Sequence, residues 1–211
     1  MNARTQDGSA GDVDYGAVGT GYSSYRKPDT RIAQFIAEAL DGARTVLNVG
    51  AGAGSYESAA GAVTPVEPSE SMRARPARGP VVVLTCDPEL VKDFWLYEYA
   101  PEVLDTEARR YPPIEEMAGA LGGTGTIQAV PVPLDCTDGF NEAYYGRPEM
   151  LLAPAARQAC SAWSFIDDGA RARFDEGLRR DLESGARDER SGHLRTQATY
   201  EGALVIVRAT I

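Results

Sequence analysis

Residues Val46 to Glu57 read VLNVGAGAGSYE, an apolar run that opens into three glycines, Gly50, Gly52 and Gly54, each separated by one residue. Glycine there supplies backbone freedom and lets a ligand approach the main chain closely. Thr45 to Val49 is therefore predicted as a buried strand, and the residues after the glycines as a helix of one or two turns. Val63 to Glu67 is a second short apolar run, and it ends on an acidic side chain. A carboxylate at the tip of the following strand accepts both hydroxyls of a ribose, so the pattern outlines a nucleotide-type cofactor site anchored by Glu67.

Working outward, Asp29 to Asp41 places Ile32, Phe35, Ile36, Ala39 and Leu40 on one helical face, with Gly42 as the stop. Val81 to Thr85 lacks alternation, as expected of a parallel strand covered by helices on both faces. Asp87 and Pro88 are read as the cap and first turn of a helix carrying Leu90, Val91, Phe94 and Trp95 until Ala100-Pro101 breaks it. Ile114, Met117 and Leu121 mark another helix, which ends at Gly122-Gly123. Thr126 to Leu134 reads as extended, and Pro131 and Pro133 restrict it to a sheet edge. Ala203 to Val207 is the last strand, and residues 135–195 form a mainly helical substrate wall or lid. This order implies an α/β fold with a mostly parallel sheet and flanking helices. Its ligand crevice falls at the carboxyl ends of the strands, where the glycine turn, Glu67 and Cys86-Asp87 lie.

The chain has 211 residues, 43% of them hydrophobic, which suits a single domain over 13–211 behind a flexible tail at 1–12. No stretch resembles a signal peptide or approaches the roughly 20 apolar residues of a membrane span. A cytoplasmic protein with no membrane partner is expected. Cys86, Cys136 and Cys160 are odd in number and far apart, which points to buried thiols rather than disulfides or a metal site. A net charge of −10 opposes nucleic-acid binding and favours a small-molecule substrate.

Taken together, YSSYRKPDTRI (Tyr22 to Ile32), VLNVGAGAGSYE, VEPSESMRAR (Val66 to Arg75) and GPVVVLTCDP (Gly79 to Pro88) resemble a class I S-adenosylmethionine-dependent methyltransferase. DCTDGFNEAYYGRPE (Asp135 to Glu149) resembles a segment of small bacterial methyltransferase-like proteins. The likeness implies a Rossmann-like fold, S-adenosylmethionine as cofactor, S-adenosylhomocysteine as product, and methyl transfer to a small molecule. By that resemblance Gly50, Gly52 and Gly54 pass beneath the methionine part of the cofactor, Glu67 holds the ribose, and Met72 lies near adenine. Tyr22, Tyr25 and Arg26 match a segment that folds over the cofactor, with Arg26 meeting its carboxylate. Packing of these aromatics on the sheet is an equal alternative.

The chain departs from the family pattern twice. Asn48 stands where an acidic residue more often receives the cofactor's ammonium group, so an acceptor remains without its charge. Residues 68–80 occupy an interval where the resemblance implies two further strands with their helices. Thirteen residues span about 40 Å when extended, enough to cross a strand but too few for two βα units. The fold is thus expected to be shortened by about two βα units. Deletion of that segment, omission of residues between Arg75 and Val81, and a pocket completed by a swapped homodimer each account for the interval.

Methyl transfer from a sulfonium is an in-line displacement needing alignment and exclusion of water, with no metal. Candidates for deprotonating an acceptor are His193, Asp87, Tyr144 and Tyr145, with Asn141 and Glu142 as polar wall residues. Each also has a plain structural reading: His193 as a surface residue of a polar loop, the two tyrosines as packing residues. A catalytically degenerate methyltransferase-like binding or assembly protein is the alternative, supported by the short interval. A nicotinamide dehydrogenase uses the same elements, but its G-x-G-x-x-G spacing places the third glycine one residue later than Gly54.

Overall fold

Asp29 starts helix α1 (Thr30–Ala39) by accepting the Arg31 amide at 3.0 Å, and Ile32 and Ala39 are buried on its inner face. Asp41 and Gly42, at φ 50° and 69°, turn the chain out of the helix into β1 (Thr45–Val49). The computed structural model describes residues 24–49, 56–57, 62–66, 80–121 and 124–210. Tyr22, Gly50, Gly52, Gly54, Glu67, Met72 and the expected tail lie outside the described residues. Strand β2 (Ala62–Val66) pairs with β1 in parallel, from Thr45 opposite Ala62 to Val49 opposite Val66. The two strands thus end in step, and the next residues in sequence are Gly50 and Glu67.

The remaining strands are β3 (Pro80–Cys86), β4 (Thr124–Ala129), β5 (Val132–Pro133), β6 (Thr199–Tyr200) and β7 (Leu204–Thr210). Strand β7 lies between β3 and β4 and runs antiparallel to both, while β5 and β6 form a separate antiparallel pair. The fold is mixed α/β, and among the described strands only β1–β2 is parallel. An uninterrupted apolar run tells that a strand is covered, not which way its neighbour points. The extended run expected over Thr126 to Leu134 is divided between two sheets: β4 bonds only to β7 among the described residues, an edge position, while Pro133 lies in β5. Pro80 to Leu84 are half-buried, whereas Thr85 and Cys86 are enclosed.

The helix expected after Asp87 is instead two 3-10 turns, Val91–Asp93 and Trp95–Glu98, separated by Phe94 in an extended conformation. Asp87 does cap, accepting the Glu89 amide at 3.0 Å, but it caps a turn. Pro101 then opens α2 (Pro101–Arg109) at its first position, where a missing N–H costs nothing, rather than breaking a helix. Helix α3 (Ile114–Leu121) follows as the apolar spacing requires. Beyond β5 come 3-10 turns at Asn141–Tyr144 and Pro148–Leu152, α4 (Pro154–Gln158), a 3-10 turn at Ser161–Phe165, α5 (Asp168–Ser184) and α6 (Ala186–Ser191).

These later elements share one apolar cluster with the earlier ones, since Leu151, Trp163, Phe174 and Leu178 pack with Ile32, Leu96, Val103 and Ile206. Two buried arginines stiffen this layer. Arg157 lies 5.3 Å from the Trp163 and Phe174 rings and pairs with Asp175. Arg187 lies 5.1 Å over Trp95 and donates to the Tyr145 carbonyl at 2.9 Å.

Candidate functional site

The segment before α1 is strapped to residues 135–139. The Gly139 amide donates to the Tyr25 carbonyl at 2.8 Å, and the Arg26 guanidinium bonds both carboxylate oxygens of Asp138. The Thr137 amide donates to Asp29 Oδ2 at 3.1 Å, and Arg31 Nη1 to Asp135 Oδ1 at 2.6 Å. Gly139 makes this contact possible, because a Cβ there would lie 2.4 Å from Tyr144 Oη and 2.8 Å from the Tyr25 carbonyl oxygen. Arg31 and the backbone amides around Asp29 hold its carboxyl well below the usual range.

Tyr56, two residues past Gly54 in sequence, reaches the same place. Its hydroxyl donates to Asp138 Oδ2 at 2.9 Å and accepts the Asp29 amide at 3.3 Å. Its backbone holds φ at 66°, in the left-handed region. Burial, with the Asp138 charge adding, pushes the hydroxyl's pKa far above the ordinary value.

A second polar group gathers where β3 ends and β7 begins. Glu107, on α2, accepts a hydrogen bond from Asn141 Nδ2 at 2.6 Å through Oε2, and Trp163 Nε1 donates to Asn141 Oδ1 at 3.0 Å. An indole N–H only donates, so it fixes which way the amide faces and leaves the NH2 for Glu107. Glu142 is 6% exposed; its Oε1 accepts the Ala203 amide at 2.8 Å, while the buried Oε2 has no hydrogen-bond partner among the described residues. Gly202 admits this carboxylate, since a Cβ there would stand 2.5 Å from Glu142 Oε1.

Burial pushes Glu142 up to about 7, with the neighbouring Glu107 charge adding to the effect against the Ala203 amide. Burial also raises Glu107, opposed by its Asn141 bond and by the Arg26 and Arg110 charges. Cys86 and Tyr111 face the same space, and both are shifted well upward. The strap and this cluster are contiguous, because the Arg26 charge acts on Glu107, Cys86 and Cys160 as well.

The structure distributes the sequence candidates unevenly. Tyr25 and Arg26 belong to the strap, and Arg26 is engaged by Asp138 of its own chain. Asn48 is half-buried in β1, opposite Pro65. Tyr144 is buried beneath Gly139, and Tyr145 stacks on Tyr200 at 5.2 Å while donating to the Gln197 carbonyl at 2.6 Å. Asp87 holds its turn, and His193 is exposed on a 3-10 turn. Asn141 and Glu142 join Glu107 in the polar cluster. Sequence reading missed Glu107, Tyr56 and Asp138. Glu107 left a signal, being an acidic residue three and four positions from buried Leu104 and Val103 on an amphipathic helix.

Among the described residues no three His, Cys, Asp or Glu side chains gather to hold a metal ion, and no helix is long and apolar enough to cross a membrane. A groove of about 290 Å³ between α1 and the β4–β7 ladder, lined by Glu38, Gln128 and Arg208 among others, shares no residue with the polar cluster.

The fold is similar to a crystal structure described as a "putative methyltransferase from antibiotic biosynthesis pathway" of Anabaena variabilis ATCC 29413, with a TM-score of 0.79. The likeness covers 90% of this chain and 100% of that one at 22% identity, so it is a likeness of fold. No family model matches the chain, and no curated protein matches it.

Proposed function

We propose that the chain is an S-adenosylmethionine-dependent methyltransferase acting on a small-molecule acceptor. The observation that carries this reading is the end of β1 and β2 in parallel register, each followed at once in sequence by a cofactor motif, Gly50 on one strand and Glu67 on the other. The similarity of fold to the Anabaena protein supports it. The cofactor supplies an already activated methyl group. Of the chain's own residues, Gly50, Gly52 and Gly54 give it bare backbone, Glu67 takes the ribose hydroxyls, and Met72 lies beside adenine. Asn48 offers an amide oxygen to the ammonium group, and Tyr25 and Arg26 cover the methionine end. Among the described residues, Tyr56, two positions after Gly54 in sequence, bonds Asp138 and Asp29 of the strap, which supports that assignment.

On this reading the sheet is a Rossmann-like one shortened by about two βα units. It accords with β1 bonding only to β2 and β3 only to β7 among the described strands. A second copy of the chain completing the pocket is part of the same proposal, as is a cytoplasmic location.

Isothermal titration with adenosylmethionine and adenosylhomocysteine tests the reading. Saturable binding of both is expected, and Glu67→Ala is expected to weaken adenosylhomocysteine by about 1–3 kcal/mol through lost charge-assisted hydrogen bonds. An unchanged dissociation constant removes Glu67 from the site. No binding to the native protein removes the proposal, and binding without methyl transfer to any acceptor favours a degenerate binding protein.

A further inference from the structure

Glu107 and Glu142 are carboxylates without a cation of their own. Neither forms an ion pair with any described residue. Buried carboxylates ordinarily pair with Arg or Lys, or they take up a proton. The two nearest guanidinium groups are committed elsewhere: Arg26 to both oxygens of Asp138, and Arg110 to Ser161 Oγ at 3.0 Å and the Phe165 ring at 5.1 Å. Neither guanidinium forms an ion pair with Glu107 or Glu142 among the described residues. One enclosed oxygen, Glu142 Oε2, has no hydrogen-bond partner among the described residues.

The geometry separates two roles. Glu142 is enclosed, while Glu107 is half-buried. Asn141, oriented by Trp163, fixes Glu107 Oε2, and Oε1 has no partner among the described residues. Half-buried Tyr111 stands beside Glu107 and Cys86. A carboxylate or thiolate acceptor would bring an anion beside two carboxyl groups that have no cationic partner among the described residues, which a low-dielectric site disfavours.

We propose that this pair binds a protonated amine and that Glu107 Oε1 removes its proton, making an amine nitrogen the methyl acceptor. The proposal rests on the methyl-transfer reading above. In the step, the N–H bond breaks and its proton passes to Glu107 Oε1. The freed nitrogen lone pair forms the new N–C bond as the S–C bond of the sulfonium breaks, and that electron pair stays on sulfur as a neutral thioether. The positive charge moves to nitrogen, and Glu107 later returns its proton to water. Asn141 and Trp163 are positioning residues. Burial, which raises both carboxyls, strengthens Glu107 as a base. The groups facing the pair are Arg26 from the strap, Arg110 after α2, Cys86 at the end of β3, Tyr111, and Tyr200 with the Ala203 and Leu204 amides.

The test is isothermal titration of 2-phenylethylamine, 2-phenylethanol and 3-phenylpropanoate into the protein, alone and with adenosylhomocysteine bound. The amine is expected to bind about tenfold or more tightly than either isostere, the range of one charge-assisted bond. Glu107→Gln keeps an oxygen for Asn141 and is expected to lower amine affinity about tenfold while leaving adenosylhomocysteine affinity unchanged. Glu142→Gln is expected to lower amine affinity as well. Equal affinity for the three compounds, no amine binding, or native amine affinity in Glu107→Gln overturns the proposal. Adenosylhomocysteine binding in the same protein reports separately on the methyl-transfer reading.

Discussion

Glu142 links its proton to the stability of the whole chain. Its ordinary pKa of 4.5 becomes about 7 in the folded protein, so between these values the folded chain holds more protons than the unfolded one. Stability is therefore expected to fall as pH rises from about 4.5 to 7, by about 1–3 kcal/mol. Asp29 has the opposite sign: held low in the fold, it stabilises above its ordinary value of 3.8 and loses that effect only at more acid pH, outside this window. Urea unfolding at pH 5 and pH 8 measures the slope, and Glu142→Gln is expected to flatten it. A slope unchanged in that variant would place its origin elsewhere. Such residues are hard to read from sequence because their meaning lies in distant partners. Arg26 stands out beside its tyrosines, but Asp138, which holds it, is 112 positions away.

Among the elements, the 135–139 turn depends on Gly139 more than on any regular structure. A methyl group there meets the Tyr144 hydroxyl and the Tyr25 carbonyl at distances real Cβ atoms do not show. Gly139→Ala is expected to destabilise the protein by about 1–3 kcal/mol and to loosen the strap, read as a lower denaturation midpoint. Native stability in that variant would show that the strap moves freely. Helices with a clear apolar face, such as α1 and α3, were legible from spacing and caps. The residues after Asp87 were not, since 3-10 turns and a short helix share the same caps and apolar side chains. Strand direction was hidden for a different reason. Val81 to Leu84 and Val205 to Val207 encode burial, and burial is the same on either side of an antiparallel pair.

For the molecule as a whole, stability is distributed around β7. This strand is hydrogen-bonded on both sides, and Val205, Ile206 and Val207 are buried, whereas β1 and β2 bond only to each other among the described strands. Hydrogen exchange is expected to be slowest in β7 and faster by orders of magnitude in β1 and β2. Equal protection in both regions would mean that the two sheets open as one unit. Of the proposed site, the cofactor half could be read from sequence because glycine spacing and a terminal carboxylate are local signals. Of the acceptor half, Asn141 and Glu142 are named from sequence as polar wall residues, but Glu107 is not, since it meets Asn141 only after the chain has closed.

The clasp between residues 25–31 and 135–139 also orders events during synthesis. Asp29 leaves the ribosome 108 residues before its partner Thr137, an interval of about 5–20 s at ordinary elongation rates. Throughout that wait the segment lacks its partners at 135–139, and Tyr56 is an earlier one. Translation must deliver more than half of the polypeptide before this clasp can close.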